Sequence, residues 1–208
     1  YLGPSYTNEE IKKVLIGNKL NYYLPKSVEQ TAAELISKGN IVAWFQGAME
    51  FGPRALGNRS ILADPRKESI RETINYRVKH RESFRPFCPS VLKSKSSKYF
   101  SGKSSDVKKY MLAAVNVISD EIPAVTHVDK TARIQEVEFK TNPRYYNLIK
   151  EFESLTGVAV LLNTSFNDQE PIVCSPEDAV KTFLKTKIDY LVIGDFLVSK
   201  NHGGLMHL

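Results

Sequence analysis

The sequence predicts an α/β fold built around a mixed sheet. Three observations carry that prediction. Short apolar runs with strand character alternate with capped amphipathic segments of helical spacing, no internal repeat breaks the alternation, and the stretch 110–139 is strand-rich, which argues against an all-parallel sheet. A chain of 208 residues and 23.5 kDa fits one generous domain or two small ones and buries a core without metal or disulfide staples.

The elements follow in order. Thr7 to Glu10 has the form of a capping box, and Ile11, Val14 and Leu15 follow at helical spacing, so a short first helix is expected. Ser27 and Gln30 open a second helix over 27–38, with Ala32, Ala33, Leu35 and Ile36 as its apolar face and Gly39 as its stop. Residues 41–45 read as a buried strand. Residues 46–59, punctuated by Gly47, Gly52, Pro53 and Gly57, read as a loop, and a helix resumes over 67–77. The two prolines within 81–89 make that segment extended, leading into a strand near 90–92. Strand content returns at 110–117 and 131–139, around a loop through Pro123. Pro143 opens a helix ended by Gly157, and 158–162 is a continuous apolar strand of the kind buried on both faces. Ser175 to Asp178 caps a further helix, 190–198 is a strand or a pair bent at Gly194, and 201–208 reads as a flexible tail.

Composition narrows the function classes. Hydrophobic residues at 42% and charged residues at 25% exclude disorder, collagen-like repeats and coiled coil. The apolar runs are far too short for a membrane span and no signal-peptide pattern opens the chain, so a soluble cytoplasmic protein is expected. Cys88 and Cys174 lack metal-site spacing and read as free thiols. The chain opens on Tyr1 without an initiator methionine and so reads as part of something longer. A net charge of +6 points to an anionic partner: nucleotide, phosphate or RNA.

The densest candidate constellation is the run 49–60, directly after a buried strand. Its glycines let successive N–H groups point at one anion, and Arg54 and Arg59 supply forked donors suited to phosphate. A loop whose arginines pair with Glu50 or Asp64 fits the same residues. A second basic cluster comprises Arg77, Lys79, His80, Arg81 and Arg85. The helix end accounts for Arg77 and Lys79, whereas Arg85, flanked by Phe84 and Phe87, calls for a compensating anion. Asn163 to Asn167 follows the most apolar strand, where open α/β sheets place ligands, though a self-bonded turn reads equally well. His127 beside Asp129 reads as a structural pair. His202 and His207 are not spaced for one helix face and no His/Cys cluster exists, so no protein metal site is predicted. Gly102-Lys103-Ser104 looks like the end of a phosphate loop, but Ser97 stands where its first glycine belongs, and no GxSxG or GxGxxG occurs.

Four long segments then carry a family resemblance: MEFGPRALGNRSILADPR (49–66), NYRVKHRESFRPFCPSVL (75–92), IPAVTHVDKTARIQEV (122–137) and LLNTSFNDQEPIVCSPEDA (161–179). They resemble the carboxy-terminal domain of the carbamoyltransferase family, which includes nodulation-factor and antibiotic O-carbamoyltransferases, over 1–200. The resemblance implies a YrdC-like fold, a twisted mixed sheet flanked by helices with a concave basic surface for nucleotide. It implies that ATP and carbamoyl phosphate are bound and joined as carbamoyl adenylate, with Mg²⁺ expected. A preceding Kae1-like domain would then pass the carbamoyl group to an acceptor hydroxyl. The family's ATP and carbamoyl-phosphate positions fall on Arg54, Lys79, Arg85, Arg133, Asn163 and Ser165, with Arg54, Lys79 and Arg85 in the catalytic role. The sequence departs from the family pattern at Ala48, commonly arginine, at Lys130, commonly glycine, and in a stretch 167–171 one residue shorter than in some relatives. The competing reading is an RNA-binding or tRNA-modification module, which steep salt dependence would reveal.

Overall fold

The structure is a computed structural model that describes residues 1–102 and 105–200. The expected tail 201–208 with His202 and His207, and Lys103 and Ser104 of the phosphate-loop-like run, lie outside the described residues.

Helix α1 (Asn8–Gly17) starts where the capping box places it: Thr7 Oγ1 accepts from the Glu10 N–H at 3.3 Å while Glu10 accepts from the Thr7 N–H at 2.7 Å. Strand β1 (Tyr22–Tyr23), helix α2 (Val28–Ser37) and strand β2 (Val42–Phe45) follow, then β3 (Arg59–Ala63), α3 (Ser69–Arg77), β4 (Cys88–Leu92) and the short α4 (Ser96–Tyr99). The second half runs β5 (Ala114–Asn116), β6 (Thr131–Arg133), β7 (Gln135–Val137), α5 (Pro143–Thr156), β8 (Val160–Ser165), α6 (Pro176–Lys185), β9 (Tyr190–Ile193) and β10 (Phe196–Ser199). Asn142 caps α5, Pro143 occupies its first turn, and Gly157, at φ +77°, ends it in the left-handed region.

Eight strands form one sheet in the order β1-β10-β9-β2-β3-β8-β4-β7, and β5 with β6 forms a separate antiparallel ribbon. Within the large sheet β2 pairs β9 and β4 pairs β7 in parallel, and the other pairings are antiparallel, so the sheet is mixed as the strand-rich middle predicts. Helices cover it in two groups, α2 along α5 and α1 along α6. Every residue of β2, β3 and β4 is buried, as a sheet covered on both faces requires. Among the described residues no helix is long and apolar enough to cross a membrane, and Cys88 and Cys174 are free thiols.

Four local expectations change. Strand β3 begins inside the run that reads as loop, because its first residue, Arg59, is fully buried rather than solvated. The stretch 131–139 divides at Ile134 into β6 and β7, which pair in different sheets. The run 110–117 keeps strand geometry only over β5, since a 3₁₀ turn ends at Tyr110. The apolar strand continues through Asn163, Thr164 and Ser165, so these polar residues lie within β8 instead of after it.

Candidate anion-binding site

The loop between β2 and β3 does gather amides around an anion, but the anion is internal. Glu50 Oε1 accepts from the backbone N–H groups of Leu56 at 2.7 Å, Asn58 at 2.7 Å and Arg59 at 3.2 Å. Gly57 is obligatory in this turn: its φ is +97°, and a Cβ there would lie 2.2 Å from the Tyr145 ring. Arg59 is no ligand donor. Its guanidinium lies 3.7 Å from the Phe45 ring centroid and donates to the carbonyls of Gln46, Asn58, Pro4 and Gly47. Burial accordingly holds it down to about 10. Asp64, the other carboxylate expected near these arginines, pairs with Arg66 at 2.6 Å. Arg54 is therefore the cation the loop leaves available, half-buried, with its Nε unpartnered.

The segment from α3 to β4 supplies the next cations. Lys79, 5% exposed, donates to Ser165 O at 2.6 Å, Asn167 Oδ1 at 2.7 Å, Asn167 O at 2.8 Å and Ser165 Oγ at 3.3 Å. Burial, reinforced by the charge of Arg81, pushes this ammonium down to about 7. Two residues on, Arg81 donates from Nε to Asn75 Oδ1 at 2.7 Å and lies 5.0 Å above the Phe87 ring. The arginine drawn onto an aromatic ring is thus Arg81. Arg85 instead stands in solvent, 2.9 Å from Glu82, beside a Phe84 that is itself 73% exposed.

These segments meet at the first residue of β4. Cys88 lies within electrostatic reach of Arg133, at the end of β6, and of Arg54 and Arg81. Burial raises the thiol above its ordinary range against the opposing pull of Arg133, Arg54 and Arg81. Across the ladder, Cys88 is in register with Asn163 on β8. Asn163 is 1% exposed and donates to Ser90 Oγ, Gln135 Oε1 and Ala55 O, so it holds the Arg54 loop against the sheet. No salt bridge among the described residues joins a carboxylate to Arg54, Arg81 or Arg133. Nor does any group of three His, Cys, Asp or Glu side chains there form a metal cage.

Of the residues singled out from sequence, the structure brings Arg54 and Arg133 to Cys88, sets Asn163 behind them, and ties Lys79 to Ser165. Arg85 is exposed and paired with Glu82, yet lies within electrostatic reach of Arg81. Arg81, named above in the second basic cluster, and Asn167, at the end of the 163–167 run, lie beside Lys79: Arg81 acts on its charge and Asn167 accepts from it.

Guanidinium groups from three chain segments thus lie beside the β4–β8 pair on an α/β scaffold, and among the described residues no ion pair joins them to a carboxylate. The chain belongs to the Carbamoyltransferase C-terminus family, whose profile matches residues 33–200. It is 42% identical to nodulation protein NolO of Bradyrhizobium diazoefficiens, over 99% of this chain and 39% of that protein. It is 38% identical to the 3'-hydroxymethylcephem-O-carbamoyltransferase of Amycolatopsis lactamdurans, over 81% and 32%. The chain thus spans about a third to two fifths of the length of these relatives. Its fold is YrdC-like. It superposes on full-length HypF in the phosphate- and nucleotide-bound form with a TM-score of 0.59 at 16% identity, over 83% of this chain and 25% of that one. It superposes on P. abyssi Sua5 complexed with L-threonine with a TM-score of 0.58 at 17% identity, over 80% and 46%.

Proposed function

We propose that this domain binds ATP and joins it to carbamate, derived from carbamoyl phosphate, as carbamoyl adenylate. One observation carries the reading: Arg54, Arg81 and Arg133 all lie within electrostatic reach of Cys88, and among the described residues none of the three forms an ion pair with a carboxylate. Unpaired guanidinium groups at a half-buried site are stabilised by an incoming polyanion, and their forked donors match phosphate oxygens. The family membership supports a carbamoyl substrate, and the phosphate- and nucleotide-bound state of HypF supports ATP.

In this reading carbamoyl phosphate is first hydrolysed to carbamate and inorganic phosphate. A carbamate oxygen then attacks the α-phosphorus, the bond from that phosphorus to the bridging oxygen breaks, and pyrophosphate leaves with the electron pair. No side-chain nucleophile is needed. The three arginines hold the phosphates in line and offset the charge that builds on their oxygens. Lys79 is a positioning residue: its protons are committed to Ser165 and Asn167, which it holds at the rim of the cluster. Asn163 positions Arg54 through Ala55. Arg85 is left an auxiliary, drawing anions toward the site from solvent. The donor set fits phosphate oxygens but offers Mg²⁺ no carboxylates, so the ion would be held by the nucleotide itself, where it would supply charge neutralisation. A Kae1-like domain in the longer protein would receive the adenylate and transfer its carbamoyl group to an acceptor hydroxyl.

Pyrophosphate exchange tests the reading. With ATP and magnesium saturating, label from pyrophosphate is expected to enter ATP only when carbamoyl phosphate or carbamate is supplied. Exchange without either compound overturns the proposal, as does no exchange in both this chain and the full-length protein.

A further inference from the structure

The segment TARIQEV places Gln135 two residues after Arg133, and the anion cluster leaves that glutamine without a part. It opens β7, the edge strand of the large sheet, in register with Ser90 on β4. An amide side chain only 3% exposed is costly there unless its donor and acceptor atoms are matched. Gln135 Oε1 accepts from Ser90 Oγ at 2.7 Å and from Asn163 Nδ2 at 3.2 Å, which leaves Nε2 to donate to Leu56 O at 2.8 Å. Asn163 Nδ2 also donates to Ser90 Oγ at 3.0 Å and to Ala55 O at 3.2 Å. Two buried amides thus hold the consecutive carbonyls of Ala55 and Leu56, immediately after Arg54.

Packing does little for this part of the loop on its outer side. Phe51 is 86% exposed, Gly52 and Pro53 are exposed, and a cavity of about 290 Å³ is walled by Phe51, Leu56, Tyr110 and Gln135 among others. Arg54 Nε is buried without a partner, so the place of this guanidinium depends on the backbone beneath it. Leu56 has two further ties: its N–H goes to Glu50, and its carbonyl also accepts from the Tyr1 hydroxyl at 2.9 Å. Glu50 belongs to the loop itself and Tyr1 lies at the surface, so the bond from Gln135 is the one that fastens Leu56 to the strand leading on from Arg133.

We propose that Gln135 is a positioning residue of the anion site: through Leu56 O it sets Arg54 against Arg133, so that both guanidinium groups meet one polyphosphate. The proposal rests on the ATP reading given above and adds to it a residue that touches no ligand.

Double-mutant cycles on the 208-residue chain test this, with ATP affinity read by titration calorimetry. Gln135→Met nearly keeps the volume, removes the amide's hydrogen bonds and is expected to weaken ATP about 5-fold. In an Arg54→Ala background the same change is expected to cost under about 2-fold, because the side chain it would position is gone. In an Arg81→Ala background it keeps its full cost, since Arg81 is held by Asn75 and Phe87 instead. General loosening by a buried substitution weakens ATP alike in all three backgrounds, and that result overturns the proposal, as does unchanged affinity in Gln135→Met. Should Gln135→Met fail to fold by circular dichroism, the same comparison is made with Ser90→Ala, which removes only the hydroxyl bonded to Gln135 Oε1 and is expected to cost about 3-fold. No ATP binding by the wild-type chain overturns the ATP reading and the proposal with it, whereas ATP binding that Arg54→Ala weakens additively with Gln135→Met overturns the positioning role alone.

Discussion

Lys79 Nζ and Asn167 Oδ1 lie 2.7 Å apart, across 88 residues of sequence, and the same ammonium reaches the carbonyl oxygens of Ser165 and Asn167. This one side chain fastens the loop after α3 to the end of β8. Its removal takes the charged donor from the half-buried oxygens of Ser165 and Asn167, which costs free energy. Lys79→Met is expected to lose about 3 kcal/mol of stability, read from the urea midpoint at constant m. A loss below about 0.5 kcal/mol would show that the tie contributes nothing net.

The same lysine gives stability a pH dependence. Burial first, and Arg81 second, lower it from 10.5 to about 7, so between these values the unfolded chain binds more protons than the folded one. Stability must then rise with pH through that window and be flat in this respect below it. The upper part of the window overlaps the titration of Cys88 and of Tyr1, both raised by burial, which acts in the opposite direction. Between pH 7 and 9 the melting temperature of the wild type is expected to rise, and that of Lys79→Met is not. Parallel profiles for the two proteins would remove Lys79 as the cause.

Arg54→Ala, Arg81→Ala and Arg133→Ala are each expected to weaken ATP by roughly 1.5–3 kcal/mol, the worth of a charge-assisted hydrogen bond. Arg85 is exposed and spends its Nε on Glu82, so Arg85→Ala should cost under about 0.5 kcal/mol. Titration calorimetry gives the ranking directly, and Arg85→Ala as the most damaging of the four would invert the site described above. Affinity that falls by orders of magnitude between low and physiological salt, for RNA and not for ATP, would favour the nucleic-acid reading.

Gly57→Ala should be among the most damaging small substitutions in the chain. The added methyl meets the buried Tyr145 ring and the backbone sits in the left-handed region, which together cost roughly 2–4 kcal/mol. Thermal unfolding within about 1 °C of wild type would mean that the loop relocates freely.

The thiols report on the site without mutation. Cys174 is exposed, whereas Cys88 is 8% exposed and raised by burial despite its arginines. Iodoacetamide at pH 7.5 should label Cys174 first. Bound ATP should slow Cys88 further, both by covering it and by adding negative charge beside it. Cys88 labelling that is insensitive to ATP would place the nucleotide elsewhere.

Local signals carried much of the fold. Thr7, Ser27 and Ser175 announce their helices because a cap is written in a few adjacent residues, and residues 158–162 announce a strand because a run buried on both faces has no polar phase. What stayed hidden depends on partners distant in sequence. Arg59 looks solvated until Phe45 and four carbonyls surround it. Asn163 looks like a turn residue until Ser90 and Gln135 satisfy it within the sheet. At the site, the basic segments stood out by charge alone, but the choice between Arg81 and Arg85 did not. In the structure Asn75 orients the Arg81 guanidinium and Phe87 lies beneath it, while Arg85 pairs with Glu82 in solvent.

Glu50 has a consequence for how this loop can change. Backbone amides bind phosphate whatever the side chains are, and a nest open to solvent would keep its affinity through most substitutions. Here the nest of Leu56, Asn58 and Arg59 is permanently plugged by a tethered carboxylate. In the reading proposed above, recognition then falls to side chains, which mutation can edit, rather than to the main chain, which it cannot. A single codon change at position 54, 81 or 133 would retune the charge and reach of that site while the scaffold beneath stays the same.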